Sequence, residues 1–300
     1  MQQYLKGVAL VLLSAFGFGM IPIFALYAYQ SNINVTTLLL IRFTLAAVIF
    51  LVYVLIKHRR IALKRSDLFY FFLLGGVCYT LQSAFYFSAV RYIAPSLASL
   101  LLYTYPLIVV ILATIIDRDK PTRMMVVSAA VSFVGVLLIL GTSYGRINGT
   151  GIVLALSAAL VYSTYIIMGN RVLKSTPPLI TSTFVSLFAG AGILVVSLFT
   201  EKISFAFAAA AWLPALGLVF FSTIIGIFAF FRGIEILGPA RASILSMTEP
   251  LFTTISAVIL LQDRLTPLQA AGGIAVLTGA VLITRARHAA PAPEKNATPG

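Results

Sequence analysis

Charge is the scarcest commodity in this sequence: 10% of its residues are Asp, Glu, Lys or Arg, while 60% are hydrophobic. Ordinary soluble domains carry roughly 25% charged and 45–50% apolar residues, so a water-soluble fold is excluded. A single cysteine, Cys78, rules out an intrachain disulfide and a thiolate zinc site. The two histidines, His58 and His288, fall in a loop and in the tail. Neither His-Glu-x-x-His nor Gly-x-Ser-x-Gly nor a paired-aspartate intramembrane motif occurs, and an enzyme is not expected. Nor is there a phosphate-cradling Gly-x-x-x-x-Gly-Lys-Ser/Thr run, which removes the recognisable engine for ATP-driven pumping. No cofactor and no metal are expected.

What fills the chain instead is a succession of uncharged apolar runs, each near the roughly 20 residues needed to cross a bilayer core as a helix. They predict an all-α integral membrane protein with ten spans, near residues 5–27, 36–56, 67–89, 95–116, 123–142, 149–169, 178–199, 212–235, 241–261 and 266–285. Backbone groups left unpaired in hydrocarbon are too costly for other conformations, and the runs lack the alternation of barrel strands. Gly7–Tyr27 is too long for a signal-peptide core and reads as a retained first span. Residues 286–300, rich in alanine and proline, read as a disordered tail.

The formal charge of +13 is scattered through short loops rather than gathered on one domain, which argues against nucleic acid as a partner. The lipid bilayer is the expected surrounding. With the N-terminus inside, Lys6, Lys57, Arg59, Arg60, Lys64, Arg65, Arg118, Lys120, Arg123, Arg171, Lys174, Arg241, Arg285 and Arg287 share one side. Arg91, Arg146, Lys202 and Arg264 lie on the other, a 14-to-4 asymmetry. The positive-inside rule then places both termini in the cytoplasm, with a bacterial inner membrane the expected location.

Shifting the sequence by 144 residues aligns Pro95–Thr122 with Pro239–Thr266, with 12 identities in 28 positions. Among them are Pro95/Pro239, Ser99/Ser243, Thr104/Thr248, Pro106/Pro250, Asp119/Asp263 and Thr122/Thr266; Gly7/Gly151 and Gly135/Gly279 carry the same shift to both ends. Shared apolar composition would not align prolines, an aspartate and glycines together. Residues 1–142 and 143–285 therefore read as two repeats. Each has an odd number of spans, so the second enters the membrane from the opposite side, the inverted arrangement found in secondary transporters.

The run Pro95-Ser-Leu-Ala-Ser-Leu-Leu-Leu-Tyr-Thr-Tyr-Pro106, the run Arg241-Ala-Ser-Ile-Leu-Ser-Met-Thr-Glu-Pro250 and the closing Asp119-Lys-Pro-Thr and Asp263-Arg-Leu-Thr resemble EamA-type proteins of the drug/metabolite transporter superfamily. The likeness extends over residues 5–285 and includes Arg42-Phe43, with Asp263 where that family usually has glutamate. It implies transport of a small-molecule substrate, by alternating access and in the export direction, the cargo being an amphiphilic metabolite such as an amino acid. The same architecture serves drug-efflux proteins, and an uncoupled channel or facilitator is the other alternative. A proton gradient is one candidate for coupling, and the expected assembly is a monomer or a homodimer.

Ionisable residues inside spans are expensive and usually face the protein or a water-filled cavity. Glu249 is the deepest acid and is read as a proton carrier or a contact for a cationic substrate group, against a packing role; its repeat counterpart is Tyr105. Arg42, in the outer third of the second span, is read as gating or structural, with snorkelling or a substrate carboxylate as alternatives. Arg232 and Glu235, three apart, read as an interfacial ion pair. Tyr79, Gln82 and Tyr86 fall on one helical stripe and, with Tyr103, Tyr105, Tyr162 and Tyr165, are candidates to line a central cavity. Pro22, Pro106 and Pro250 lie within spans and are hinge candidates, since proline frees a carbonyl and permits bending.

Overall fold

Apolar side chains cover the outside of this protein as well as its interior: Ile56, Leu213 and Phe199 are each at least 80% exposed. Lipid, not water, satisfies such a surface, and the backbone meets its own hydrogen-bonding needs by being helical. The computed structural model describes residues 2–57, 63–116, 121–141, 148–199 and 203–285. It contains ten spans long and apolar enough to cross a membrane. In chain order they are α1 Gln2–Gln30, α2 Val35–Lys57, α3 Arg65–Ala89, α4 Pro95–Ile116, α5 Arg123–Leu140, α6 Gly149–Val172, α7 Pro178–Ser197, α8 Ala209–Leu237, α9 Pro239–Leu260 and α10 Pro267–Arg285. Among the described residues there is no strand. Arg59, Arg60, Arg118, Asp119, Lys120, Arg146, Lys202, Arg287, both histidines and the tail from residue 286 lie outside the described residues.

The two inverted five-helix repeats interdigitate. α1 packs on α8 and α3 on α6, while α2 pairs with α7 and α5 with α10; every one of these pairings joins one repeat to the other. Glycines show the pseudo-twofold relation atom by atom. A Cβ on Gly7 would meet Ile236 and Leu237, and one on Gly151 would meet Tyr92 and Ile93, each partner displaced by the same 144 residues. Likewise Gly135 abuts Gly272 and Val276, while Gly279 abuts Ser128 and Ser132. Small residues at these crossings let backbones approach closely, which in lipid replaces the hydrophobic drive for helix association.

Three spans are not continuous helices. α4 divides into α4a (Pro95–Leu102) and α4b (Tyr105–Ile116), α9 into α9a (Pro239–Ser246) and α9b (Glu249–Leu260), and α1 into α1a (Gln2–Gly19) and α1b (Ile21–Gln30). The breaks in α4 and α9 are copies of each other. Thr104 Oγ1 donates to the Leu101 carbonyl at 2.7 Å and Thr248 Oγ1 to the Leu245 carbonyl at 2.8 Å. The proline hinge candidates thus take a more specific place than a bend in a running helix: Pro22, Pro106 and Pro250 each stand in the first turn of a new half-helix. There the missing N–H costs nothing, because first-turn amides have no intrahelical acceptor. A second departure from straight helices is paired too. α3 carries a π-helical stretch, Phe72–Tyr79, and α8 carries one at Leu218–Ile225. Inserted π-turns of this kind are frequent at functional sites.

We call the end of the bundle that bears Lys6, Lys57, Lys64, Arg65, Arg171, Lys174, Arg241 and Arg285 the basic end. On that half, α9a is buried along its whole length and packs against α4b, α1a and the nearby parts of α8 and α10. On the opposite half, α4a packs chiefly on α6 and α5, and α9b on α1 and α5, with Leu100 and Leu251 meeting in one apolar cluster.

Candidate functional site

The breaks in α4 and α9 bring the starts of two half-helices, Tyr105 and Glu249, into one neighbourhood. α6 secures the first: Ser163 Oγ donates to the Tyr105 carbonyl at 3.1 Å. α1 secures the second at the position 144 residues earlier than Ser163. There Gly19 lets the Glu249 carbonyl come within 2.9 Å of where a Cβ would stand, and the Gly19 carbonyl accepts from Thr253 Oγ1 at 2.9 Å. Glu249 therefore occupies the first turn of α9b, where the unpaired amides of a helix start favour negative charge.

Phenols surround that carboxylate. The Tyr103 hydroxyl is within hydrogen-bonding reach of Glu249, whose charge also acts on Tyr86, Tyr105 and Tyr162. The Tyr105 and Tyr162 rings meet edge to face at 4.7 Å between centroids, Tyr162 stacks on Tyr165 at 5.8 Å, and Tyr103 lies 6.4 Å from Tyr105. Tyr165 continues to Phe231 at 5.9 Å. Tyr105 and Tyr165 are buried, whereas Tyr103, Tyr162 and Glu249 keep partial accessibility in the middle of their spans.

Arg42 forms the other pole. It is 3% exposed, so the snorkelling alternative does not describe it. Its Nε donates to Thr223 Oγ1 at 2.7 Å and its Nη2 to the Ser222 carbonyl at 3.2 Å, both in the π-helical stretch of α8. The wider turn of that stretch offers the Ser222 carbonyl to a side chain. Ser222 Oγ in turn donates to the Gly17 carbonyl at 2.6 Å, two residues from the glycine against which Glu249 rests. The guanidinium also lies 5.1 Å from the Phe43 ring, and Phe43 meets Tyr79 at 4.8 Å. No described residue accepts from Arg42 Nη1, and Glu249 feels Arg42 through space. The site thus presents a carboxylate and a guanidinium with spare donors, separated by aromatic walls.

The predicted stripe on α3 is only partly assembled. Tyr79 faces Phe43, within electrostatic range of Tyr162. Tyr86 shares a 2.7 Å hydrogen bond with Ser99 and packs at the edge of the cluster of Ala89, Ile93 and Leu97. Gln82 is half-buried and hydrogen-bonds to no described residue. Arg232 and Glu235 form their ion pair on the partly exposed side of α8, away from this centre. A groove of about 870 Å³ between α1b and the start of α8 contains none of the predicted residues. Sequence reasoning missed Phe43 as a wall, Ser222 and Thr223 as Arg42 partners, and Gly17 and Gly19 as close-approach points. The signal available for two of them was the Ser-Thr pair interrupting the apolar run Leu218–Ile225.

The twofold anchoring of Arg42 yields a direct expectation. Arg42→Lys keeps the charge but cannot reach Thr223 and Ser222 with separate donors. Leaving one buried acceptor short costs about 1–3 kcal/mol. The purified variant should melt several degrees lower in detergent by intrinsic fluorescence; unchanged melting would show that the α2–α8 tie contributes little.

The model of the EamA-like transporter family matches residues 5–141 and again 149–285, one copy on each repeat. Among curated proteins, the chain is 27% identical over 225 residues to "Uncharacterized transporter YyaM" of Bacillus subtilis (strain 168), covering 71% of this chain and 73% of that protein. It is 29% identical over 252 residues to an "Uncharacterized transporter" of Archaeoglobus fulgidus, covering 82% of this chain and 87% of the relative. A solved crystal structure superposes with a TM-score of 0.82 over 95% of this chain and 99% of the other, at 18% identity, a likeness of fold. With both repeats matched over nearly their whole length and ten interlocked spans around a polar centre, the chain belongs to the EamA-like transporter family.

Proposed function

We propose that this protein is an alternating-access secondary carrier that exports a small amphiphilic metabolite bearing both an ammonium and a carboxylate group, an amino acid or a close relative. The observation that carries the reading is the centre itself. Glu249 offers a partner to the ammonium group, the spare donors of Arg42 offer one to the carboxylate, and Tyr103, Tyr105, Tyr162 and Tyr79 supply aromatic surface for the apolar part. Discontinuous spans meeting near mid-membrane, with half-helix starts turned to the substrate, are a recurrent device of secondary transporters.

The basic end is cytoplasmic in this reading, by the excess of lysine and arginine there. The packing of α9a on α4b then closes the cytoplasmic side, while α4a rests mainly on α6 and α9b mainly on α1, which makes the outer side the open one in this reading. Because the repeats are related by a pseudo-twofold axis in the membrane plane, exchanging their conformations produces the opposite state: α4a and α9b close while α4b and α9a part. Thr104 and Thr248, at the two breaks, are the points where the half-helices pivot. Glu249 is the residue at which a proton and the substrate ammonium would alternate.

The test is counterflow in liposomes containing the purified protein. Vesicles are loaded with an unlabelled amino acid pool, and uptake of labelled external solute is followed over time. Saturable exchange with amino acids is expected. Exchange with cationic drugs but not with amino acids would replace the zwitterion reading by drug efflux through Glu249 and the phenols. Unsaturable flux would point to a channel, and no flux from folded protein in any pool would overturn the carrier reading.

A further inference from the structure

A second feature lies away from the centre, on the lipid-facing surface at the basic end. A groove of about 550 Å³ runs between α1 and α2 of the first repeat and α7 and α8 of the second. Its walls are apolar, with Leu10, Leu13, Ile49, Phe50 and Phe228 prominent. Its rim is not: Lys57, the last residue of α2, and Arg232 both line it. The Lys57 ammonium lies 5.6 Å from the ring centroid of Tyr53, another lining residue, so the cation stays over the groove. Arg232 is paired with Glu235, and both remain partly exposed. Among the described residues the rim therefore carries the two cations Lys57 and Arg232, with Glu235 paired to the second.

From this geometry we infer that the groove holds one anionic phospholipid of the basic-end leaflet, its acyl chain along the apolar wall and its phosphate between Lys57 and Arg232. A zwitterionic lipid would fill the apolar length equally well but would bring its own ammonium against the two cations. A phosphodiester with an uncharged headgroup supplies negative charge to Lys57 and Arg232 and brings no ammonium of its own. Basic pockets between spans on the cytoplasmic side are suited to anionic headgroups for this reason. Since the walls come from both repeats, a seated lipid touches each side of the interface that any rocking motion must shear. The inference does not depend on what the centre carries.

The experiment uses the delipidated full-length chain and native mass spectrometry with phosphatidylglycerol and phosphatidylcholine of identical chains. One phosphatidylglycerol per protein is expected to be retained in preference to phosphatidylcholine. Lys57→Gln should reduce that preference by about fivefold, the factor corresponding to one cation near a membrane surface. Leu13→Trp, which fills the apolar wall from an exposed position and leaves both cations in place, should displace the lipid altogether. Equal retention of the two lipids, or a preference untouched by both variants, would overturn the inference. Displacement by soluble glycerol phosphate with Leu13→Trp neutral would overturn it as well, by showing an anion site that needs no acyl chain.

Discussion

Glutamine at position 249 should lower substrate exchange at least tenfold while leaving the amount of folded protein in the membrane unchanged. Glu249→Gln keeps the shape of the side chain and its place in the first turn of α9b, and it leaves the Tyr103 hydroxyl a carbonyl oxygen to donate to. It removes the charge that the substrate ammonium requires. A hydrogen bond to a charged group contributes about 1.5–3 kcal/mol, and about 1.4 kcal/mol is a factor of ten in binding. The matched measurement is counterflow at pH values equal on both sides, so that no driving gradient masks a binding defect. Full exchange by the glutamine variant would make Glu249 a packing residue.

The same variant separates coupling from binding. If a proton alternates with substrate on Glu249, an imposed pH gradient should accelerate net flux in the unaltered protein and have no effect on the residual flux of Glu249→Gln. The charged and titratable neighbours are Arg42, Tyr86, Tyr103, Tyr105 and Tyr162, which come from α2, α3, α4 and α6. None of the phenols ionises near neutral pH in ordinary conditions, which leaves the carboxylate as the group to follow. Equal responses to the gradient in the two proteins would take the proton away from this residue.

The second large effect concerns assembly rather than transport. Gly75→Ala should leave little protein that survives solubilisation. A Cβ at Gly75 would stand 2.3 Å from the Val185 carbonyl oxygen and 2.9 Å from the Ala189 amide nitrogen, both of them backbone atoms of α7 that cannot rotate aside. Further along the same crossing, a Cβ on Gly192 would lie 2.3 Å from Thr80 Oγ1 and 3.1 Å from the Gly76 carbonyl. α3 and α7 would have to separate, at a cost of about 1–3 kcal/mol or more. Because α3 belongs to one repeat and α7 to the other, the defect should appear as early loss of the monodisperse species on heating in fluorescence-detected gel filtration. Gly149→Ala is the control, since a Cβ there meets nothing within 4 Å. Identical melting of the two variants would mean that the close crossing is not what joins the repeats.

Membrane class, span number, the repeat and the side on which the basic residues gather were all legible along the chain. Each rests on a one-dimensional property: the length of an apolar run, the spacing of identical residues, the placement of charges relative to spans. The Pro106 and Pro250 matches even marked where α4 and α9 are interrupted, although a proline in a span does not distinguish a bend from a fresh helix start. That distinction depends on Thr104 and Thr248 turning back to Leu101 and Leu245, hydrogen bonds that form only once the backbone has left the helical path.

The composition of the centre lay beyond that reach. Arg42 could not be read as buried from its place in an apolar run, because its cost is offset by Thr223 and by a Ser222 carbonyl some 180 residues away. Tyr79 and Tyr86 share a sequence stripe, yet Tyr79 closes a π-helical stretch and Tyr86 stands two turns on in the α-helix that follows. Tyr79 meets Phe43 on α2, while Tyr86 meets Ser99 on α4, partners that only the packing of those spans supplies. By itself the sequence determined a ten-span inverted repeat with its charges sorted to one end, because the bilayer acts on each apolar segment separately. Only the tertiary structure decided which polar groups converge, because every main pairing crosses from one repeat to the other, and those contacts are chosen by close-packed glycines and side-chain hydrogen bonds that no single segment contains.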